Sequence, residues 1–97
     1  MVISVEVKFL GIFRQFSGRN RILVKFEKPA SVGKAIEKLT ESFSSEFKRT
    51  LVDPELEDPR PNALILVNGK EISVLHGLET KVEDGDEIVL VPVSHGG

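Results

Sequence analysis

Apolar and polar residues alternate from the start of the chain. Ile3, Val5, Val7 and Phe9 fall on one side and Ser4, Glu6 and Lys8 on the other, the period-two pattern of a strand with one buried face. Residues 11–18, Gly-Ile-Phe-Arg-Gln-Phe-Ser-Gly, read as a connection too short for a full helix and ended by Gly18. Ile22, Val24 and Phe26 then alternate with Leu23, Lys25 and Glu27, predicting a second strand that returns antiparallel to the first. Pro29-Ala30 breaks it. Ser31 is placed as an N-cap whose hydroxyl accepts a free N–H of the first helical turn. Val32, Ala35, Ile36, Leu39 and Phe43 recur at three-and-four spacing, with Lys34, Glu37, Lys38 and Glu41 between them. That is an amphipathic helix whose apolar stripe belongs to the core. Ser44-Ser45 restarts a shorter helix through Phe47 and Leu51.

Residues 53–61, Asp-Pro-Glu-Leu-Glu-Asp-Pro-Arg-Pro, hold three prolines and four acids, the composition and geometry of a loop. Ala63 to Val67 is a third strand. Asn68-Gly69 is a strong hairpin signal, because both central residues of a type I′ turn need positive φ, and Lys70-Glu71-Ile72 returns briefly. His76-Gly77-Leu78 turns the chain, and Leu78, Thr80 and Val82 alternate over a short stretch. Asp84-Gly85-Asp86 forms a tight turn that launches Glu87 to Val91, Pro92 closes that strand, and Val93-Ser94-His95-Gly96-Gly97 completes the chain.

One main helix must cover one face of a single mixed sheet, because nothing else in this order of elements can bury that face. The expectation is an α+β fold of the β-grasp (ubiquitin-like) type, with four to five strands and one domain over residues 1–97. Residues 94–97 form a flexible C-terminal tail in this reading. The first and last strands, the longest and most apolar, belong at the centre and parallel. Ile88 and Leu90 face the helix, leaving Val89, Val91 and Val93 on the uncovered face. With Pro92, these valines form a candidate docking patch beside the tail.

Composition narrows the chemistry. The chain has 40% hydrophobic and 29% charged residues and no cysteine, which excludes disulfides, thiolate catalysis, iron–sulfur clusters and cysteine-based zinc sites. No apolar run approaches the roughly 20 residues of a membrane span, and the cytoplasm is the expected compartment. Net charge is −2 but unevenly placed: residues 1–50 carry ten Lys/Arg and five Asp/Glu, residues 51–97 three and ten. An acidic second half argues against nucleic acid and suits docking on a basic partner surface. His76 and His95 are the only imidazoles, with no spacing that makes a triad or a metal site. Asp84, Asp86 and Glu87 are explained by the turn, since Asp favours turns through side chain–backbone hydrogen bonds. What remains reactive is the α-carboxylate of Gly97. Gly96-Gly97 lacks bulk and adopts almost any backbone conformation, so it threads a channel too narrow for other residues.

A strand running from Asp84-Gly85-Asp86-Glu87-Ile88 through Pro92 into a final Gly-Gly resembles the ubiquitin-like sulfur carriers, and most of all the small subunit of molybdopterin synthase (the MoaD family). Lys8-Phe9-x-Gly11-x-Phe13-Arg14 followed by Gly18, and Val67-Asn68-Gly69 after an apolar strand, carry the same resemblance. It implies a protein that binds no cofactor and is not catalytic alone. A ubiquitin-activating-like adenylyltransferase, consuming ATP, would adenylate Gly97, and a sulfur donor would convert it to a thiocarboxylate. The tail, Ser94, His95, Gly96 and Gly97, would then enter the large subunit of molybdopterin synthase. The chain departs from the family in having Leu90 and Val91 where aromatics are common, Ser-His-Gly-Gly for Ser-Gly-Gly, and the acidic Pro-rich loop. Sulfur carriage for thiamine or tRNA thiolation, attachment to lysines as a protein modifier, and an interaction module with an inert tail stay open.

Overall fold

In the computed structural model, which describes residues 2–93, the first alternating run is β1 (Ile3–Phe9), with Ile3, Val5, Val7 and Phe9 buried. It is followed by α1 (Gly11–Ser17) and β2 (Arg21–Phe26), which pairs antiparallel with β1 so that Val5 lies opposite Val24. β3 (Ala30–Ser31) leads directly into α2 (Val32–Glu41), and α3 (Ser45–Leu51) comes next. β4 (Ala63–Val67), β5 (Lys70–Glu71), β6 (Lys81–Val82) and β7 (Glu87–Pro92) complete the order. Among the described residues the main sheet has five strands in the order β2-β1-β7-β4-β5, with β1 and β7 parallel and the other pairs antiparallel. The helices cover one face, which is the β-grasp arrangement expected from the order of elements.

Local chemistry accounts for most of the boundaries. Ser31 Oγ accepts the Lys34 N–H at 3.1 Å and Ser44 Oγ the Phe47 N–H at 3.2 Å, so both helices begin at a side-chain cap. Asn68 and Gly69 have φ of 49° and 84°, as the β4–β5 turn requires. The Asn68 amide also ties that turn to β7, its Oδ1 accepting the Glu87 N–H at 2.9 Å.

Four segments differ from the sequence expectation. Ile72–Val74 and Gly77–Glu79 are single 3₁₀ turns where a returning strand and an alternating stretch were expected. Residues 11–17 form a helix, closed by Gly18 in the left-handed region at φ 71°, whose N–H donates to the Arg14 carbonyl at 2.9 Å. Seven residues are too few for an isolated helix to repay nucleation. This one holds because Phe13 is fully buried against Phe47, ring centroids 6.4 Å apart. Ala30, read with Pro29 as a break, and the cap residue Ser31 pair antiparallel with Val82 and Lys81 in a small second sheet, which seats the start of α2 over the core.

The core joins the sheet to all three helices. Phe9 of β1 meets Phe43 and Phe47 edge-on at 5.7 and 5.6 Å, and Phe43 lies 5.0 Å from Phe47. Such aromatic pairs add about 0.5–1.5 kcal/mol beyond area burial. Phe47 is the hub, since it touches Phe9, Phe13 and Phe43. Phe47→Ala is expected to lower stability by about 3–5 kcal/mol in urea denaturation, whereas Phe16→Ala, at an exposed position, should change it by about 0.5 kcal/mol or less.

Candidate functional site

The site is the end of β7, from which the chain continues to Gly97, and its construction begins at the opposite end of that strand. In the Asp84-Gly85-Asp86 turn, Asp84 Oδ1 accepts the Ser4 N–H at 2.8 Å and Gly85 N–H donates to the Ser4 carbonyl at 2.9 Å. Asp86 Oδ2 accepts the Glu83 N–H at 2.7 Å, and its Oδ1 accepts from Asn68 Nδ2 at 3.0 Å. Both carboxylates are occupied with backbone and amide donors, as expected of turn residues. Among the described residues, no group of three His, Asp or Glu is placed to hold a metal ion.

From this turn β7 runs between β1 and β4. Ile88 and Leu90 are fully buried on the helix side. Val89 and Val91 lie half-buried on the open face, opposite Leu66 and Leu64 of β4. Pro92 does not belong with them. By alternation it shares the side of Ile88 and Leu90, where it packs on the start of α1: a Cβ added at Gly11 would stand 2.8 Å from Pro92 Cγ. Proline is tolerated there because β1 has ended. Phe9 pairs with Leu90, Leu10 N–H donates to the Leu90 carbonyl at 3.3 Å, and the ladder asks for no donor at residue 92. Val93 is exposed, and its N–H donates to the Asn62 carbonyl at 3.0 Å. The docking set read from sequence is therefore split, with Val89 and Val91 on the open face and Pro92 beneath them. Ser94, His95, Gly96 and Gly97 lie outside the described residues.

The placement of β7 also separates the acidic turn from the tail. Asp84, Asp86 and Glu87 sit at the start of β7, roughly 17 Å from its far end at the usual rise per residue. Acids of the 53–61 loop are engaged in shaping it. Asp53 Oδ1 accepts the N–H groups of Glu55 and Leu56, both at 2.9 Å, and Asp58 forms a bidentate pair with the Arg60 guanidinium, closest at 2.6 Å. The hydrogen bond from Arg60 holds the Asp58 carboxyl below its usual range. The acids of the 84–87 turn thus lie away from the tail's root. Lys8, Arg14 and Arg21 instead come from the two strands and helix on the β1 side.

A cavity of about 730 Å³ lies between α2, α3 and the 53–59 loop and includes no residue of β7. A smaller one of about 140 Å³ adjoins Val93, lined by Arg60, Leu64, Ile72 and Gly77 among others. The lining of the first includes Lys34, Glu37, Lys48 and Glu57, and that of the second Arg60 and Glu71. Beside the end of β7 the structure adds Leu10, Asn62 and Leu64, and it brings Gly11, present in the sequence only as part of a family motif, against Pro92. Only the short spacing from the first strand to Gly11 hinted that α1 would arrive there, and that hint depends on knowing that β1 and β7 are parallel.

Over residues 7–97 the sequence matches the ThiS family. The chain belongs to that family. It is 29% identical over 94 residues to small archaeal modifier protein 3 of Haloferax volcanii, covering 97% of this chain and 99% of the relative. Its fold superimposes on small archaeal modifier protein 1 of Methanosarcina acetivorans with a TM-score of 0.83 at 27% identity, over 100% of this chain and 99% of that one. A putative molybdopterin converting factor subunit 1 from Pyrococcus furiosus matches in fold, with a TM-score of 0.74 at 23% identity over 95% of this chain and 99% of that one. The ThiS-family chain is thus a ubiquitin-like protein of the sulfur-carrier and modifier group. No described helix is long and apolar enough to cross a membrane.

Two outcomes check the geometry around the root of the tail. Gly11 has φ +54° and no room for a Cβ, so Gly11→Ala should cost at least about 1–2 kcal/mol, with the largest amide shift changes at Val91 and Val93 by NMR. The depressed folded-state pKa of Asp58 means its pairing stabilises the loop above the ordinary carboxylate pKa and is lost as pH falls through the depressed value. In an acid titration followed by NMR, Arg60→Ala should move the Asp58 carboxyl back up to the ordinary range.

Proposed function

We propose that this ThiS-family chain carries sulfur on its C-terminal carboxylate and delivers it in molybdopterin biosynthesis as the small subunit of molybdopterin synthase. The observation that supports this reading best is the placement of β7. An innermost strand of the sheet, anchored at both ends, leads into five residues that finish in Gly-Gly. In the proposed cycle a separate adenylyltransferase binds ATP. The Gly97 carboxylate oxygen attacks the α-phosphorus, pyrophosphate leaves, and an acyl-adenylate forms. A sulfide-equivalent nucleophile then displaces AMP and leaves a thiocarboxylate, whose sulfur is nucleophilic at neutral pH. The large subunit takes that sulfur, and water restores the carboxylate. The chain itself holds no cofactor in this scheme. It contributes a rigid base, a narrow tail and a surface for docking that includes Val89, Val91 and Val93.

A second reading has its own support. The whole-length similarity to a small archaeal modifier protein favours attachment of Gly97 to substrate lysines through an isopeptide bond. Both readings share the adenylate and diverge at the nucleophile, sulfur in one and an ε-amine in the other.

Intact-mass spectrometry after incubation with the activating enzyme, ATP and a sulfur source separates them. Carriage predicts an oxygen-for-sulfur mass increase at the C-terminus, abolished when Gly97 is deleted or followed by one added residue. Lysine conjugates in cell extracts without a thiolated form would move the assignment to the modifier. An extended chain that still became thiolated would sink both.

A further inference from the structure

β2 and β5 are the two edges of the main sheet. β5 has two residues and β2 has six. An edge strand presents a row of unpaired N–H and C=O groups to any extended chain that can pair with it. The ladder decides which groups of β2 are free. Phe9 N–H donates to the Asn20 carbonyl at 2.8 Å. In that phase Ile22, Val24 and Phe26 turn their backbone groups toward β1, while Arg21, Leu23 and Lys25 turn theirs outward. Among the described residues one partner reaches the outward row. It is Lys38 of α2, whose Nζ donates to the Lys25 carbonyl and lies 4.9 Å from the centre of the Phe26 ring. Lysines commonly guard sheet edges, but Lys38 covers a single carbonyl and leaves the groups of Arg21 and Leu23 open. The side chains of these three outward residues are exposed and read basic, apolar, basic along the edge. Leu23, at 59%, is the most exposed large apolar residue of any described strand.

We propose that β2 is a docking edge for an extended acidic peptide segment of another protein. The segment adds to the sheet as a further strand, with carboxylates opposite Arg21 and Lys25 and an apolar side chain opposite Leu23. Charge selects this occupant. Residues 19–28 hold four Lys/Arg and one acid, and Lys38 adds a cation from the helix side. Arg21 meets Glu6 only at 3.5 Å, with both side chains accessible, so its guanidinium is held loosely. A second copy of the chain does not fit. A two-fold pairing centred on Leu23 would set Arg21 of one copy opposite Lys25 of the other, and like charges directly opposite destabilise a ladder. The chain's own acidic segment at 53–61 does not fit either, because its three prolines lack the N–H groups that a strand must donate. β2 lies two strands from β7, roughly 10 Å away at the usual spacing. The added strand therefore sits apart from the root of the tail, and the inference does not depend on the chemistry proposed for Gly97.

The test is an NMR titration of the full chain with the blocked peptide acetyl-Thr-Glu-Thr-Val-Thr-Glu-Thr-amide, whose glutamates and valine match the three outward positions. Amide shifts should change most over residues 21–25, and the N–H groups of Arg21, Leu23 and Lys25 should gain protection from hydrogen exchange. Lys25→Glu should raise the Kd about fivefold or more, while Lys48→Glu, on α3, should leave it within about twofold. Two altered peptides give a reading that needs no variant to fold. Replacing both glutamates by lysine should abolish binding. Replacing the valine by proline keeps the charge but removes the central N–H, and should weaken binding about tenfold. No shift change at millimolar peptide, equal binding of the proline peptide, or largest changes at Val89 and Val91 would each overturn the proposal. A doubled mass without peptide, with a concentration-dependent Leu23 amide shift, would give the edge to a second copy and overturn it as well.

Discussion

The parallel pairing of β1 with β7 is the constraint on which the remaining architecture depends. These strands come from opposite ends of the chain, and Ser4 meets Asp84 across eighty positions. No hairpin can make a parallel pair; the connection must cross over the sheet. Here the crossover contains α2 and α3, which for that reason lie on one face and bury Ile88 and Leu90. Register is set at the start of both strands by the Asp84 turn, where a slip of one residue would send Val89 and Val91 into the core. The same pairing has a consequence at the other end. Parallel strands finish together, so the segment leaving β1 must pass beside the segment leaving β7. That is why α1 stands against Pro92.

What the residues declared locally was legible. Ser31 and Ser44 announced their helices because a cap is a contact within three residues. Asn68-Gly69 announced its turn because the required φ values exclude most other residues. The long alternating runs identified the central strands, since burial on one face imposes a period of two. Features that depend on distant partners were not legible. α1 exists because Phe13 finds Phe47, thirty-four residues away, and nothing within residues 11–17 states that. The two-residue β3–β6 pair is likewise a product of the tertiary fold.

The candidate site was legible in part, and its errors have a common physical origin. Alternation placed Val89 and Val91 correctly on the open face, while proximity in sequence drew Pro92 into the same set although it points the other way. The imbalance of charge between the two halves was real, yet a strand separates its two ends in space. The acids of the 84–87 turn therefore belong to the beginning of β7, and Asp53 and Asp58 of the 53–61 loop are committed to its own turns and to Arg60. Charge counted along a sequence says little about a surface until the strand order is known.

On the proposed reading, in which the tail enters a partner's channel, anchoring its root also distributes the work of recognition. Fixing backbone costs roughly 1–2 kcal/mol per residue, so seating four residues in a narrow channel costs at most about 4–8 kcal/mol on that scale. Gly96 and Gly97 have no side chains with which to offset it, so the favourable terms must come from elsewhere. The folded domain is the remaining source, through surface already rigid before the partner arrives. Near the root that surface is apolar, built by β4, β7 and α1 together. On that reading a narrow tail would admit the chain to any enzyme with a suitable channel, and discrimination between such enzymes would fall to the folded surface around the root.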